Sequence, residues 1–199
     1  MTYSGTAPSW DHSLVLPAVK EFLSSFASPV KLLDIGCGNG AMLAALSDLE
    51  LDATGVDSSP SAIGFAQRQE SRATFLQFDA TQLLPFLPNS FDAIISVEVI
   101  EHIYSPRELL DNALRLLKPG GRILLTTPYH GYLKNVLIAA TGKFDFHYDP
   151  LWIGGHVKFW SKATMFAVMR EIGFVDLTFA GCGRVPYLWR SMVVTGRKP

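Results

Sequence analysis

The hydrophobic period of this chain switches between strand-like and helix-like spacing almost from end to end, and that alternation limits the fold more than any other feature. Short apolar runs, too brief for helices, alternate with segments whose apolar residues fall three and four apart. This is the pattern of strands and crossover helices in a mainly parallel sheet. A first helix is expected over residues 16–26, with Val15, Val19, Phe22, Leu23 and Phe26 on one face. Strands follow over 30–35, over 51–56 closed by Asp57, and over 75–78, 91–97 and 122–127. Between the early strands lie a helix over 41–48 and one begun by Ser59-Pro60, a cap followed by proline in the first turn. Ser105-Pro106-Arg107-Glu108 reads as a stronger start, with an N-cap serine, proline at N1 and a capping-box glutamate. Its buried stripe is Leu109, Leu110, Ala113, Leu116 and Leu117, and Lys118-Pro119-Gly120-Gly121 stops it. After a short helix over 132–140 and an aromatic loop, Ser161 caps a helix carrying Met165, Phe166, Met169 and Ile172, which ends at Gly173. Two strands, 174–180 and 189–195, then follow with no helix between them, which predicts an antiparallel hairpin.

The expected architecture is α/β: a Rossmann-like, doubly wound, seven-stranded sheet, mostly parallel with an antiparallel last strand, plus a small lid insertion. It forms one domain over 1–199, with 1–29 as an N-terminal helical cap and 128–158 as the lid insertion. Apolar residues at 48% and charged residues at 18% supply a core and exclude a disordered tail. Seventeen basic against eighteen acidic residues leave a net charge of -1, so the electrostatic footprint of a DNA-binding protein is missing, and RNA is a weak partner reading. Two cysteines, Cys37 and Cys182, are too few for a disulfide scaffold. The first residues show no basic segment followed by an apolar one, and no apolar run approaches a membrane span. A cytoplasmic protein is therefore expected; its oligomeric state is not legible.

A strand that runs into D-I-G-C-G-N-G and then a helix brings backbone close to a ligand, because glycine removes the blocking Cβ and the helix start offers N–H donors. Counting Ala41, the loop also meets the looser G-x-G-x-x-G/A dinucleotide pattern, so a nicotinamide-dependent oxidoreductase stays open. Asp57, at the end of the second strand, suits either cofactor, since its carboxylate accepts from both hydroxyls of a ribose.

Taken together, LLDIGCGNG, Asp57, Asp79 after the third strand, FDAIISVEVIEHI and LKPGGRILLTTP resemble the class I S-adenosylmethionine-dependent methyltransferases. The resemblance runs from about Val30 to the final strand. It implies that the Asp34 loop cradles the methionine part of the cofactor, that Asp57 holds the ribose, and that Asp79-Ala80 reads the adenine. The implied contacts are Asp34, Gly36, Gly38, Asp57 and Asp79, joined by Cys37, Ser58, Ala80 and Val97. Against these stand plainer readings: Gly40 as helix–strand packing, Asp79 as a turn residue, and Cys37 as a small packed thiol.

The segment Ser96-Val97-Glu98-Val99-Ile100-Glu101-His102 adds a second constellation. If it turns helical, Glu98, Glu101 and His102 share one face, and two carboxylates with an imidazole suit a divalent ion such as Mg, Mn or Zn. This E-x-x-E-H string resembles the ubiquinone-biosynthesis O-methyltransferases and the small-RNA 3′-terminal 2′-O-methyltransferases. The latter resemblance implies a metal held by the motif and a later histidine, here His156. The plainer reading exposes Glu98 and packs His156 under the lid. A metal binding two adjacent oxygens of a catechol or diol aligns the acceptor and lowers its hydroxyl pKa. Without a metal, His102 or His156 serves as general base. His130 lies near the expected site, whereas His147 and His12 read as ordinary lid or surface residues. Phe144, Phe146, Tyr148 and Trp152 either wall an acceptor pocket, dock on a membrane surface holding a prenylated substrate, or pack on their own domain. The expectation is O-methylation of a small aromatic or diol-containing acceptor. The alternatives are C- or N-methylation without metal, RNA 2′-O-methylation, nicotinamide chemistry, and a non-catalytic cofactor-binding module.

Overall fold

The computed structural model describes residues 10–69 and 71–199, so residues 1–9 of the expected cap lie outside the described residues. Seven strands make one sheet: β1 (Val30–Ile35), β2 (Leu51–Asp57), β3 (Thr74–Gln77), β4 (Phe91–Val97), β5 (Leu117–Pro128), β6 (Val175–Cys182) and β7 (Ser191–Arg197). Their order is β3-β2-β1-β4-β5-β7-β6, and β7 alone runs against its neighbours. The expected doubly wound sheet with its antiparallel late hairpin is what forms. Successive residues of the central strands feed opposite faces, and both faces are buried, so their sequences read as unbroken apolar runs rather than alternations. Leu33, Ile94 and Leu125 face one core together with Leu109, Leu110, Met165 and Met169. Leu32, Ile95 and Leu124 face the other with Val15, Val19, Met42 and Ile63. Burying each such Leu or Ile contributes roughly 1.5–3 kcal/mol.

The helices that cover these faces are α1 (Trp10–Ser24), α2 (Ala41–Ala45), α3 (Pro60–Ala66), α4 (Pro106–Leu116) and α7 (Lys162–Ile172). Two more, α5 (Tyr132–Ala140) and α6 (Phe144–Tyr148), lie in the insertion between β5 and α7. Several boundaries depart from expectation. Helix α1 begins before residue 16, carrying Pro17 inside it, and stops at Ser24, because Ser25 and Phe26 close a tighter turn onto the Phe22 and Leu23 carbonyls. Ser105 makes no side-chain cap: its φ of -108° and ψ of 74° lie off the extended capping geometry, so the expected capping box is absent there. It forms instead at Ser161, which accepts from the Thr164 N–H while the Thr164 hydroxyl accepts from the Ser161 N–H. Lys118 to Gly121 end α4 as expected but belong to β5, which starts at Leu117. Leu117 pairs with Phe91 and Arg122 with Ala93, so the residues between bulge out of the ladder.

The order of strands reverses between β1 and β4, the switch point at whose carboxyl ends open α/β sheets bind ligands. Both sequence constellations, the glycine loop after Ile35 and the acidic segment after Val97, emerge there. No helix among the described residues is long and apolar enough to cross a membrane.

Candidate active site

A cleft of about 1200 Å³ opens over this switch point. At one end Gly36 and Gly38 turn with φ of 81° and 55°, conformations that cost a side chain and leave the backbone bare. A Cβ on Gly36 would lie 2.4 Å from Val99, so the loop also nests against the segment after β4. Asp57 holds the loop: its carboxylate accepts from Gly38 N–H at 3.0 Å and from Ser59 N–H at 2.8 Å, with lone pairs to spare. Asp79 accepts from both the N–H and the hydroxyl of Thr81 at 2.8 Å, so it is a turn residue as well as a cleft residue. Ser58, Ala80 and Val97 line the same cleft.

Asp34, expected as a cofactor contact, lies beneath the loop, 2% exposed and, like Cys37, outside the cleft lining; its Oδ2 has no hydrogen-bond partner. Burial, with Asp57 nearby, pushes its carboxyl up to about 8. Cys37 does not line the cleft: its side chain packs in the core against Gly55, and burial pushes its thiol pKa up. Gly40 takes the packing role, since a Cβ there would meet Phe75 at 2.8 Å and Ala66 at 3.0 Å.

After β4 the chain does not form the helix that would align Glu98 with Glu101 and His102. Glu98 sits at φ 54°, and only Ile100–His102 coil, as a single 3-10 turn. The Glu98 carboxylate accepts from the Ser191 hydroxyl at 2.6 Å. Glu101, His102 and His156 instead come together, with one ligand atom from each within 4.8 Å of the others. The fold builds this trio by clamping the insertion onto the turn: the Glu101 carbonyl accepts from the Val157 and Lys158 N–H groups at 2.9 and 3.0 Å. The His102 and His156 rings lie 4.9 Å apart, edge to face, and both pack on Trp152. His102 Nδ1 is 3.3 Å from the Gly155 carbonyl, and the tautomer that donates this bond leaves Nε2 to take a ligand or a proton.

The other end of the cleft is formed by the insertion and the β6–β7 turn. His130, His147 and His12 all line the cleft, so the reading of the last two as ordinary lid or surface residues is corrected. His130 stacks on Tyr148, and burial with Lys134 beside it pushes its pKa down to about 3, which keeps it neutral. Phe146 and Trp152 reach the cleft, but Phe146 is also 88% exposed. Lys134, Arg184 and Arg190 complete this wall and were passed over in the sequence. Their signal was slight: Lys134 is the one charge in the apolar helix YLKNVLIAA.

Residues 33–125 match a family model described as a methyltransferase domain, a span that includes the glycine loop and Glu101-His102 but not His156. The chain is 33% identical over 134 residues to the ubiquinone biosynthesis O-methyltransferase of Methylococcus capsulatus, covering 64% of this chain and 56% of that protein. With the mitochondrial protein of that name from Schizosaccharomyces pombe it shares 35% identity over 106 residues, covering 49% of this chain and 37% of the relative. The chain thus matches about half, or less, of the length of these relatives. In fold it is similar to phosphoethanolamine N-methyltransferase 2 of Haemonchus contortus, solved with S-adenosyl-L-methionine. The TM-score is 0.72 at 20% identity, covering 97% of this chain and 54% of that one.

Proposed function

We propose that this chain, a class I S-adenosylmethionine-dependent methyltransferase by fold and family match, methylates a hydroxyl of a small aromatic or vicinal-diol acceptor with a divalent ion held by Glu101, His102 and His156. The observation that carries the reading is the trio itself: a carboxylate and two imidazoles converging within 4.8 Å on the cleft floor, beside the strand end that borders the glycine loop. The donor set suits Mg, Mn or Zn. The cofactor residues divide the work by chemistry. Asp34 takes the amino group of the methionine part, Asp57 the ribose hydroxyls, and Asp79 with Ala80 the adenine edge, while Gly36 and Gly38 let the backbone approach.

Methyl transfer is an in-line displacement at a carbon already activated by the sulfonium, so the chain's contribution is alignment and control of one proton. A divalent ion held by Glu101, His102 and His156 would act as a Lewis acid that lowers the pKa of an acceptor hydroxyl. His102, oriented by Gly155, and His156, held by the clamped loop, present nitrogen lone pairs there. In the absence of an ion the same rings can receive the hydroxyl proton as general base. The relatives named for ubiquinone biosynthesis support an aromatic hydroxyl acceptor over RNA, as does the lack of a basic excess.

Calorimetric titration with S-adenosylhomocysteine, then with Mg²⁺, Mn²⁺ or Zn²⁺, tests both parts. The expected result is cofactor-product binding plus an ion isotherm weakened by roughly 100-fold or more in His156→Ala and in Glu101→Gln. Cofactor-product binding with no ion isotherm, or with one unchanged in both variants, refutes the metal site and leaves His102 or His156 as base. No binding of S-adenosylhomocysteine refutes the methyltransferase reading.

A further inference from the structure

The insertion meets the ligand trio through one short segment, W-I-G-G-H over 152–156, of which all but Ile153 line the cleft. Its first four residues form a turn. Gly155 N–H donates to the Trp152 carbonyl at 3.0 Å, and Gly154, third in the turn, takes the positive φ of 82° that such a turn asks of glycine. Gly155 lies against the indole, since a Cβ there would come 2.9 Å from the Trp152 carbonyl oxygen and 3.2 Å from the ring. The turn thereby sets three things at once. Its Gly155 carbonyl is 3.3 Å from His102 Nδ1, and its next residue is His156. Its Trp152 ring lies edge to face with both imidazoles, 5.8 Å from His102 and 5.3 Å from His156 between centroids. With the imidazoles 4.9 Å from each other, the three rings close a triangle. Trp152 is half-exposed and belongs to neither core, so its ring contacts fall on the two ligand rings rather than on the packing that holds the sheet.

We infer that Trp152 is a positioning residue: its indole, fixed by the 152–155 turn, braces the His102 and His156 rings in the arrangement that lets both serve one ligand. For the ion this rests on the reading of Glu101, His102 and His156 as its holders; for the placing of the two rings it does not. An imidazole turns about two side-chain torsions, and edge-to-face contacts with a third ring restrict both. A carbonyl only accepts, so the Gly155 contact also selects the His102 tautomer with its proton on Nδ1 and leaves Nε2 as the lone-pair nitrogen. Rings ordered in advance need not be ordered on binding, and loss of such outer support costs roughly 10- to 100-fold in metal affinity.

Two measurements on the full chain test it without turnover. Calorimetric titration with Mn²⁺ or Zn²⁺ should show ion binding weakened about tenfold or more in Trp152→Ala and in Gly155→Ala, whose Cβ would displace the turn. Trp152→Phe, which keeps a ring edge in place, should bind the ion within about threefold of the parent. Leu151→Ala, beside the turn and 89% exposed, should stay within about twofold. The second measurement needs no ion: long-range ¹H–¹⁵N spectra of the imidazoles at alkaline pH. The parent and Trp152→Phe should hold His102 in the Nδ1–H tautomer, and Trp152→Ala should mix the two tautomers. Parental ion affinity in Trp152→Ala, or an unchanged His102 tautomer there, overturns the inference, as does an equal loss in Trp152→Phe and Trp152→Ala. Absence of an ion isotherm in the parent is a separate result: it removes the ion reading, while the His102 spectra still decide whether Trp152 places the rings.

Discussion

Replacing Asp34 by Asn separates the burden of a buried carboxyl from its use. In the unfolded chain this carboxyl titrates near 3.8, and in the folded chain burial and Asp57 push it to about 8. The folded state therefore holds a proton that the unfolded state gives up, and the associated stability is fully present below pH 3.8 and lost as pH rises through 8. Neutral pH lies about three units above the unfolded value, and each unit is worth about 1.4 kcal/mol, so the burden there is about 4 kcal/mol. Asn keeps the shape and does not titrate. If half of the burden is recovered, about 2 kcal/mol, the melting temperature of the cofactor-free Asp34→Asn protein should exceed the parent's by about 4–8 °C at pH 7 to 8. Near pH 4 the difference should vanish. Calorimetry with S-adenosylhomocysteine reads the other side. The ligand's ammonium should draw Asp34 into its ionised form, so the parent releases close to one proton on binding at pH 7. Asp34→Asn should release none and bind roughly 100-fold more weakly. A variant without the thermal gain at pH 7 to 8, together with a parent whose binding enthalpy is the same in buffers of different ionisation heat, would refute this account of Asp34.

Gly36→Ala should lower stability by about 1–2 kcal/mol from its positive φ alone, and by more because its Cβ would lie 2.4 Å from Val99. Adding Val99→Ala should restore the second part in a urea melt but not the first, and no restoration would count against the clash. Ser161→Ala should cost about 1 kcal/mol by breaking the capping box of α7, while Ser105→Ala should be near neutral because Ser105 makes no side-chain cap. Equal losses in chemical denaturation would refute that distinction. Leu110→Ala, fully buried under the sheet, should cost about 2–5 kcal/mol while leaving S-adenosylhomocysteine affinity within about twofold. A large fall in affinity would mean that α4 packing shapes the cofactor end.

What was legible in the amino-acid sequence is what depends on neighbours along the chain. Strand and helix periods, the glycine loop and the acidic residue closing β2 are local signals, and all seven strands appear within a few residues of where those signals put them, except the start of β5. That strand begins five residues early because β4 accepts Leu117 as a partner across a bulge, a pairing no local rule for Lys-Pro-Gly-Gly contains. Ser105 has the composition of a capping box but not the backbone angles, whereas Ser161, with Thr164 in the glutamate's place, has the angles and closes the box.

The candidate site divides along the same line. Asp57, Asp79 and the Gly36–Gly38 turn were visible because the loop and the residues that hold it are set by short-range geometry. The trio of Glu101, His102 and His156 was visible only as a list of ligand types. Membership was decided by the 3-10 turn, which leaves Glu98 at φ 54° beside Ser191, and by the Glu101 carbonyl that clamps Val157 and Lys158 and so delivers His156. Lys134 comes from α5 and Arg184 and Arg190 from the β6–β7 turn, and nothing in their spacing announces that they line one cleft. The sequence by itself therefore determined the sheet, its helices and the cofactor loop, because each is encoded by contacts a few residues apart. The ligand trio and the other residues that line the cleft with it were decided by the tertiary structure, because they meet only after the insertion folds back over the switch point.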